Sequence, residues 1–232
     1  MQKKVNIYLF GGNSEIGNAI LDGLVLRNKN NEIIIKSFVR SEIRQSISGQ
    51  IKFVNTYFEA TNHIDSNDNE QNIFILSFGV LREENKEVKF IDNLRYHLDI
   101  NTFEKINILR FLEKNYKHSE VHIVSSILAD FIRPSVVSYC LSKMLLDVYL
   151  QEINGNYFDK NLFIWKPAFV ISNLNRGRNA SFLKTNTKKI TNSVTSKVKG
   201  DAYYIPFYSK YLTILAKRLS TLIRLIDKRN NF

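Results

Sequence analysis

Ser126, Tyr139 and Lys143 are the residues of this chain whose types and spacing suit chemistry, and they lie in one run, VHIVSSILADFIRPSVVSYCLSK, from Val121 to Lys143. Tyr139 and Lys143 are four apart, so on a helix they project from one face, one turn above the other. Ser126 follows the apolar run Val121–Val124, which reads as a buried strand. A hydroxyl at a strand end, facing a phenol and an ammonium on the next helix, suits proton transfer to a carbonyl oxygen. A free tyrosine titrates near ~10 and is a poor acid at neutral pH. A cation one turn away favours the phenolate and draws that value toward the working range. By itself Tyr-x-x-x-Lys is also a common helical pair with no chemistry attached.

Other segments supply the setting such a pair needs. The chain opens on the apolar run Val5–Phe10, followed by Gly11-Gly12-Asn13-Ser14-Glu15-Ile16-Gly17 and a helical pattern through Ile20, Leu21 and Leu24. Strand, glycine turn and helix in that order bring backbone N–H groups and a helix N-terminus to a pyrophosphate. Further strands are expected at Ile33–Val39, Ile51–Tyr57, Ile73–Ser77, Val121–Ser125, Leu162–Trp165 and Tyr203–Ile205. Helices are expected near Glu15–Asn28, Asp92–Lys114 and Val137–Ile153. Short apolar strands alternating with longer helical patterns predict an α/β fold, a Rossmann-like doubly wound parallel sheet covered on both faces. No repeat or linker divides it, so one domain is expected.

On these residues the chain resembles the short-chain dehydrogenases/reductases, from about Val5 to Ser172. The family's Gly-x-x-x-Gly-x-Gly loop aligns with Gly11 to Gly17, with Glu15 in place of the middle glycine. Its Asn-Asn-Ala-Gly strand end aligns with Leu76-Ser77-Phe78-Gly79, and its Pro-Gly with Pro167-Ala168. Asn101, Ser126, Tyr139 and Lys143 match the four catalytic positions. The resemblance implies that Tyr139 is the general acid in reduction and that Ser126 holds the carbonyl oxygen. It also implies that Lys143 binds the nicotinamide ribose and that Asn101 holds a water joining the lysine to solvent. Gly11, Asn13, Ser14, Ile16, Gly17, Arg40, Glu59, Ala60, Ser77, Gly79, Pro167, Val170 and Ser172 would hold the cofactor beside Tyr139 and Lys143. The pair Glu59-Ala60 resembles the family's Asp-hydrophobic pair beside the adenine. The second strand ends Lys36-Ser37-Phe38-Val39-Arg40-Ser41, with no carboxylate until Glu42. An acid there would favour NAD, and a cation favours the 2'-phosphate, so NADP (NADPH) is expected over NAD. A narrower similarity, carried by Gly-Gly-x-Ser-acidic-Ile-Gly and Phe78-Gly79-Val80-Leu81, is to the reductase half of the decaprenylphosphoryl-ribose 2'-epimerase. It implies a keto-sugar substrate on a polyprenyl-phosphate or nucleotide carrier and a partner oxidase. Family habit implies a homodimer or homotetramer, and no metal site is expected.

Composition adds a second theme. The chain has 232 residues, 44% hydrophobic, and a net charge of +11. Residues 173–232 hold 13 basic residues against Asp201 and Asp227, a net of +11, while the first 172 residues balance. Such asymmetry fits an anionic partner. The stretch 173–200 is read as a substrate lid or a solvated loop with a short helix. Residues 208–232 are read as an amphipathic helix beyond a dehydrogenase domain of residues 1–207. Its apolar face would be Tyr211, Leu212, Leu215, Ala216, Leu219, Leu222, Ile223 and Ile226, with Lys210, Lys217, Arg218, Arg224 and Lys228 opposite. It would either dock on the sheet or lie on an anionic membrane surface. The single cysteine, Cys140, excludes an intramolecular disulfide, and no apolar run approaches the length of a spanning helix. A cytoplasmic protein is the expectation, peripheral on the inner face of the membrane in the case that the helix of residues 208–232 lies on lipid. Two rivals remain: a reductase of small soluble, steroid or acyl ketones, and a nucleotide-sensing or nucleic-acid-binding module. The intact Asn, Ser, Tyr and Lys set weighs against the module, so no nucleic acid is expected.

Overall fold

Alternation along the first strand sets the two layers of the molecule. In β1 (Lys4–Phe10), Val5, Ile7 and Leu9 enter one core and Tyr8 and Phe10 the other, and all five are buried. The structure is a computed structural model that describes residues 3–42, 48–65, 70–84, 87–153, 161–170, 184–196 and 202–218. Of Lys184, Leu212 and residues 216–218 it describes the backbone alone.

The remaining strands are β2 (Glu32–Val39), β3 (Gln50–Phe53), β4 (Gln71–Leu76), β5 (Glu120–Val124), β6 (Leu162–Pro167), the short pair β7 (Phe169–Val170) and β8 (Lys184–Thr185), and β9 (Ala202–Ile205). Seven of them form one parallel sheet in the order β3-β2-β1-β4-β5-β6-β9. The helices are α1 (Glu15–Arg27), α2 (Phe90–Leu98), α3 (Glu104–Asn115), α4 (Val137–Ile153), α5 (Thr187–Thr195) and α6 (Ser209–Arg218). Ile108, Leu109 and Leu112 of α3 and Leu146 and Leu150 of α4 cover one face, packing on Tyr8, Phe74 and Leu76. Ala19, Ile20 and Leu24 of α1, with Ile190 and Val194 of α5, cover the other. The result is a single Rossmann-like domain. The strand order reverses between β1 and β4, the switch point beyond whose carboxyl ends such sheets gather ligands.

Four expectations change. β3 ends at Phe53, not Tyr57: Glu59 accepts the Asn55 N–H at 3.1 Å and starts a 3₁₀ turn over Glu59–His63. The helix expected over Asp92–Lys114 runs without a gap from Phe90 to Asn115 but contains a π turn at Asp99–Phe103. The segment read as a lid is, over residues 184–196, seated on the protein: Thr191 Oγ1 donates to the Ala19 carbonyl at 3.0 Å, and Ile190 and Val194 are buried. Its other residues lie outside the described ones. In α6 the inward residues are Ser209 and Thr213, each hydrogen-bonded within its own turn, while Tyr211, Ile214 and Leu215 are 62%, 49% and 52% exposed. The expected apolar face therefore points outward where it is described, and residues 219–232 lie outside the described ones.

The α1–α5 seam depends on Gly23, where an added Cβ would stand 2.6 Å from Val194 Cβ and 2.8 Å from the Thr191 carbonyl. Gly23→Val should therefore cost at least about 1–3 kcal/mol through overpacking. Urea unfolding would read the loss, and hydrogen exchange should show the amides of α5 losing protection. Unchanged stability and protection would show that this seam is not tight.

Candidate active site

The site is assembled at the carboxyl ends of β1, β4 and β5. Gly11 takes φ +99, and both its N–H and that of Gly12 donate to the Phe38 carbonyl at 3.1 and 2.9 Å. An L side chain there would be strained, and its Cβ would meet Phe78 N at 2.8 Å. Ser14 caps α1 by accepting from Gly17 N–H at 3.1 Å. Gly17 lets α1 close on β4, since a Cβ would fall 2.1 Å from Ser77 Oγ. Ser77 in turn donates to the Phe10 carbonyl at 3.2 Å. Asn13 reaches across to Ser41 Oγ and the Glu42 carbonyl at 3.2 and 3.0 Å, tying the glycine loop to the end of β2. Asn18, which the sequence did not flag, holds the loop from below through the Gly12 and Ser14 carbonyls at 2.7 and 2.9 Å. The opening of a 13-residue helix here, behind a glycine turn, fits an anionic diphosphate. Ile16 packs partly buried against the core beneath.

The second half of the site converges on Lys143. Its Nζ lies 5.6 Å from the Tyr139 ring centroid and donates to the Val124 carbonyl at 3.3 Å. A Cβ on Gly79 would stand 2.9 Å from Asn101 Oδ1 and 3.9 Å from Lys143 Nζ, so these three positions are neighbours. Asn101 is fully buried in the π turn, a distortion often found at functional positions. Its amide accepts from Val80 N–H at 2.9 Å and donates to the Val80 carbonyl and Ser142 Oγ at 3.0 and 3.2 Å. The side chain thus holds the segment after β4 like an extra strand. Ser126 leaves β5 two residues beyond Val124 and accepts from Leu128 N–H at 3.1 Å, so its own hydrogen remains for another acceptor. The 3₁₀ turn it caps packs on α4, the helix that carries Tyr139 and Lys143.

Two groups fix the wall formed by residues 80–84. His97 is buried; its Nε2 accepts from Arg82 N–H at 3.0 Å, so Nδ1 carries the hydrogen toward the Asn93 carbonyl at 2.8 Å. Burial pushes its pKa below the usual value. The ring meets Tyr139 edge-on at 6.1 Å. Glu84 accepts from Ser138 N–H at 2.6 Å and from Asn93 at 3.0 Å, so one carboxylate joins the wall to α2 and the first turn of α4. Burial raises the Glu84 pKa, but these hydrogen bonds outweigh it and hold it low.

Some expected cofactor residues are placed differently. Arg40 stands at the end of β2, stacked on Tyr57 at 4.6 Å and 3.5 Å from Glu104 Oε2. A phosphate there must compete with that carboxylate. Glu59 is half-buried and accepts the Asn55 N–H through one carboxylate oxygen, while Ala60 is enclosed in the core at 0% exposure and offers no side-chain contact. Pro167 ends β6, and Val170 is 1% exposed, packed in the α1 core. Ser172 lies outside the described residues. Phe78, which replaces a small residue of the resembled motif, turns its ring away into the α3 side, stacked on Tyr57 at 4.2 Å. Lys105, Asp147 and Lys166 were also not foreseen. Lys166 is 4% exposed and binds Asp130 at 3.0 Å and Asp147 at 2.5 Å; these carboxylates overcome burial and raise its pKa. Burial lowers the Lys143 pKa to about 8, against the opposing pull of Asp147 and Lys105.

No family model matches the chain, and no curated protein matches it in sequence. Solved structures do match it in fold. A short-chain dehydrogenase from Burkholderia cenocepacia in complex with NADP superposes with a TM-score of 0.69 at 16% identity, over 94% of this chain and 98% of that one. A 3-oxoacyl-[acyl-carrier protein] reductase from Brucella melitensis in complex with NAD gives 0.69 at 13% identity, over 92% and 98%. A ligand-free aldohexose dehydrogenase from Thermoplasma acidophilum gives 0.67 at 16% identity, over 88% and 92%. The chain therefore has the fold of the short-chain dehydrogenases/reductases.

Proposed function

We propose that this protein is an NAD(P)-dependent oxidoreductase acting on a carbonyl or secondary alcohol, with Tyr139 as the proton donor in reduction. The observation that carries the reading is the meeting of Tyr139, Lys143 and Asn101 with the end of β5 beside the switch point. The nicotinamide cofactor supplies the hydride. The glycine turn and the first turn of α1 hold its diphosphate, and Lys143 holds the nicotinamide ribose. Ser126 donates its hydroxyl hydrogen to the substrate oxygen, where negative charge develops. Tyr139 then gives its phenolic proton to that oxygen, and the Lys143 ammonium stabilises the phenolate left behind. The two cofactor-bound structures above, one with NADP and one with NAD, support a nicotinamide dinucleotide.

For the substrate, a keto-sugar on a lipid-phosphate or nucleotide carrier is favoured by the charge of the last quarter and by α6. Exposed Tyr211, Ile214 and Leu215, with Phe207 (71%) and Tyr208 (42%) before them, form an outward apolar surface in a segment of net positive charge. That combination suits the face of an anionic bilayer. The full chain should sediment with anionic vesicles at low salt, and a Tyr211→Ser, Leu215→Ser double variant should bind distinctly less. Equal sedimentation of both proteins, or none, would remove the lipid-linked substrate from the proposal.

Tyr139→Phe should keep the fold and NADPH binding while turnover falls by ~10²–10⁴-fold, since only the proton donor is removed. NADPH oxidation with a panel of sugar and acyl ketones measures it, and turnover within a few-fold of wild type would refute the assignment.

NADP preference rests on Arg40 leaving Glu104 for the 2'-phosphate. Arg40→Ala should then weaken NADPH binding by about 1.5–3 kcal/mol and leave NADH nearly unchanged. Calorimetric titration of both cofactors decides it: equal losses would show that Arg40 serves only Tyr57 and Glu104.

A further inference from the structure

Lys105 is a second amine inside the site, and nothing in the reaction described above uses it. It lies one turn after Asn101 on α3, on the face formed with Ile108, Leu109 and Leu112, and it is 0% exposed. Its Nζ donates to the Val124 carbonyl at 3.0 Å, the same oxygen that Lys143 Nζ reaches at 3.3 Å. The Phe78 ring covers it at 5.2 Å. Two amines thus share one carbonyl, Lys105 fully enclosed and Lys143 almost so.

The charges around them determine how many protons they carry. Asp147 lies one turn beyond Lys143 on α4 and is bound to Lys166 of β6, which also binds Asp130. Glu104, beside Lys105 on α3, is engaged by Arg40 and by the Tyr57 N–H at 2.5 Å. His97 of α2, edge-on to Tyr139, is neutral in the tautomer its two hydrogen bonds require. Three amines, those of Lys105, Lys143 and Lys166, therefore face two carboxylates, Asp130 and Asp147. The cluster is electrically balanced when exactly one amine is neutral, and buried charges without a counter-ion are strongly disfavoured. Lys166 sits between both carboxylates and keeps its proton. Of the other two, Lys143 is one turn from Asp147, and Lys105 is the more deeply enclosed, at 0% exposure against 3%.

We propose that Lys105 and Lys143 form a diamine that holds a single proton, with Lys105 the neutral acceptor that positions the Lys143 ammonium and keeps it charged at neutral pH. A neutral amine donates to Val124 O and still has a lone pair for one N–H of Lys143. Lys143 then has one N–H on Val124 O, one on Lys105, and a third for Tyr139 and the cofactor ribose. Lys105 is a positioning residue: it acts through Lys143 and transfers nothing to substrate. Burial and the adjacent Lys143 both push its own pKa far below the ordinary lysine value. Burial lowers the Lys143 pKa, and Asp147 and then the Lys105 lone pair oppose that, so that it settles at about 8. Its role in turnover rests on the oxidoreductase reading; the shared proton does not.

Lysine labelled with ¹³C at Cε in the full chain, free of cofactor, allows both amines to be titrated by NMR. In the wild type one buried lysine should titrate near 8, and the other should remain neutral at pH 7. Lys105→Met keeps length and packing but removes the acceptor, and should move the Lys143 midpoint downward by about one unit, a tenfold change. If Lys105 were charged, the same substitution would remove a repulsion and move Lys143 upward. An upward or absent shift, or wild-type lysines that both titrate near the ordinary value, would overturn the proposal. The wild-type titration stands alone should the variant fail to fold. In the oxidoreductase reading, the alkaline limb of the pH–rate profile moves downward by the same amount in Lys105→Met. A shifted titration in a protein that oxidises no NADPH would refute the enzyme and leave the diamine intact.

Discussion

The carbonyl oxygen of Val124 ties together the three elements that make the site. It ends β5, accepts Lys105 of α3 at 3.0 Å and accepts Lys143 of α4 at 3.3 Å. Both lysines are almost wholly buried, so each must find its partners inside the protein. This requirement fixes how far α3 and α4 stand along the sheet, and hence where Asn101 and Tyr139 stand. From the same strand end the chain continues to Ser126, and Ser125 Oγ donates to Asp147. The positions of the phenol, the amide and the hydroxyl thus follow from satisfying buried amines at one strand terminus. The Lys166–Asp130 pair extends the arrangement to β9, where Tyr204 donates to Asp130 at 2.9 Å.

Apolar runs made the central sheet legible. Residues 73–76 are buried because both faces of a parallel strand are covered, and an unbroken apolar run is the signature of that. The helix Val137–Ile153 matched its expected limits, with Pro134 opening the 3₁₀ turn that leads into it. Edges were harder to read. All four residues of β3 are exposed, so hydrophobic patterning carries little information about where that strand stops. The π turn holds Asn101, whose side chain is bonded to Val80, a partner twenty-one residues away that no local period reveals.

Site residues divide along the same line. Ser126, Tyr139 and Lys143 are visible from type and spacing alone. Lys105 breaks the apolar rhythm of its helix and reads as a solvated position. The available signal was that Lys105, Ile108, Leu109 and Leu112 share one face, which puts a lysine where a hydrophobic residue is due. Arg40 shows the converse. Its sequence position suggests a phosphate ligand, yet in three dimensions it has an aromatic ring and a carboxylate beside it. The outward apolar surface of α6 was equally hidden, because a helical period shows which residues share a face but not which way that face turns.

A crystal structure of the full chain with NADP⁺ tests the central claim most directly. The account predicts the diphosphate at the first turn of α1, beside Ser14 and Gly17, with the nicotinamide ribose within hydrogen-bond reach of Lys143 and Tyr139. A cofactor bound away from the switch point between β1 and β4, or with its ribose remote from Lys143, would contradict it.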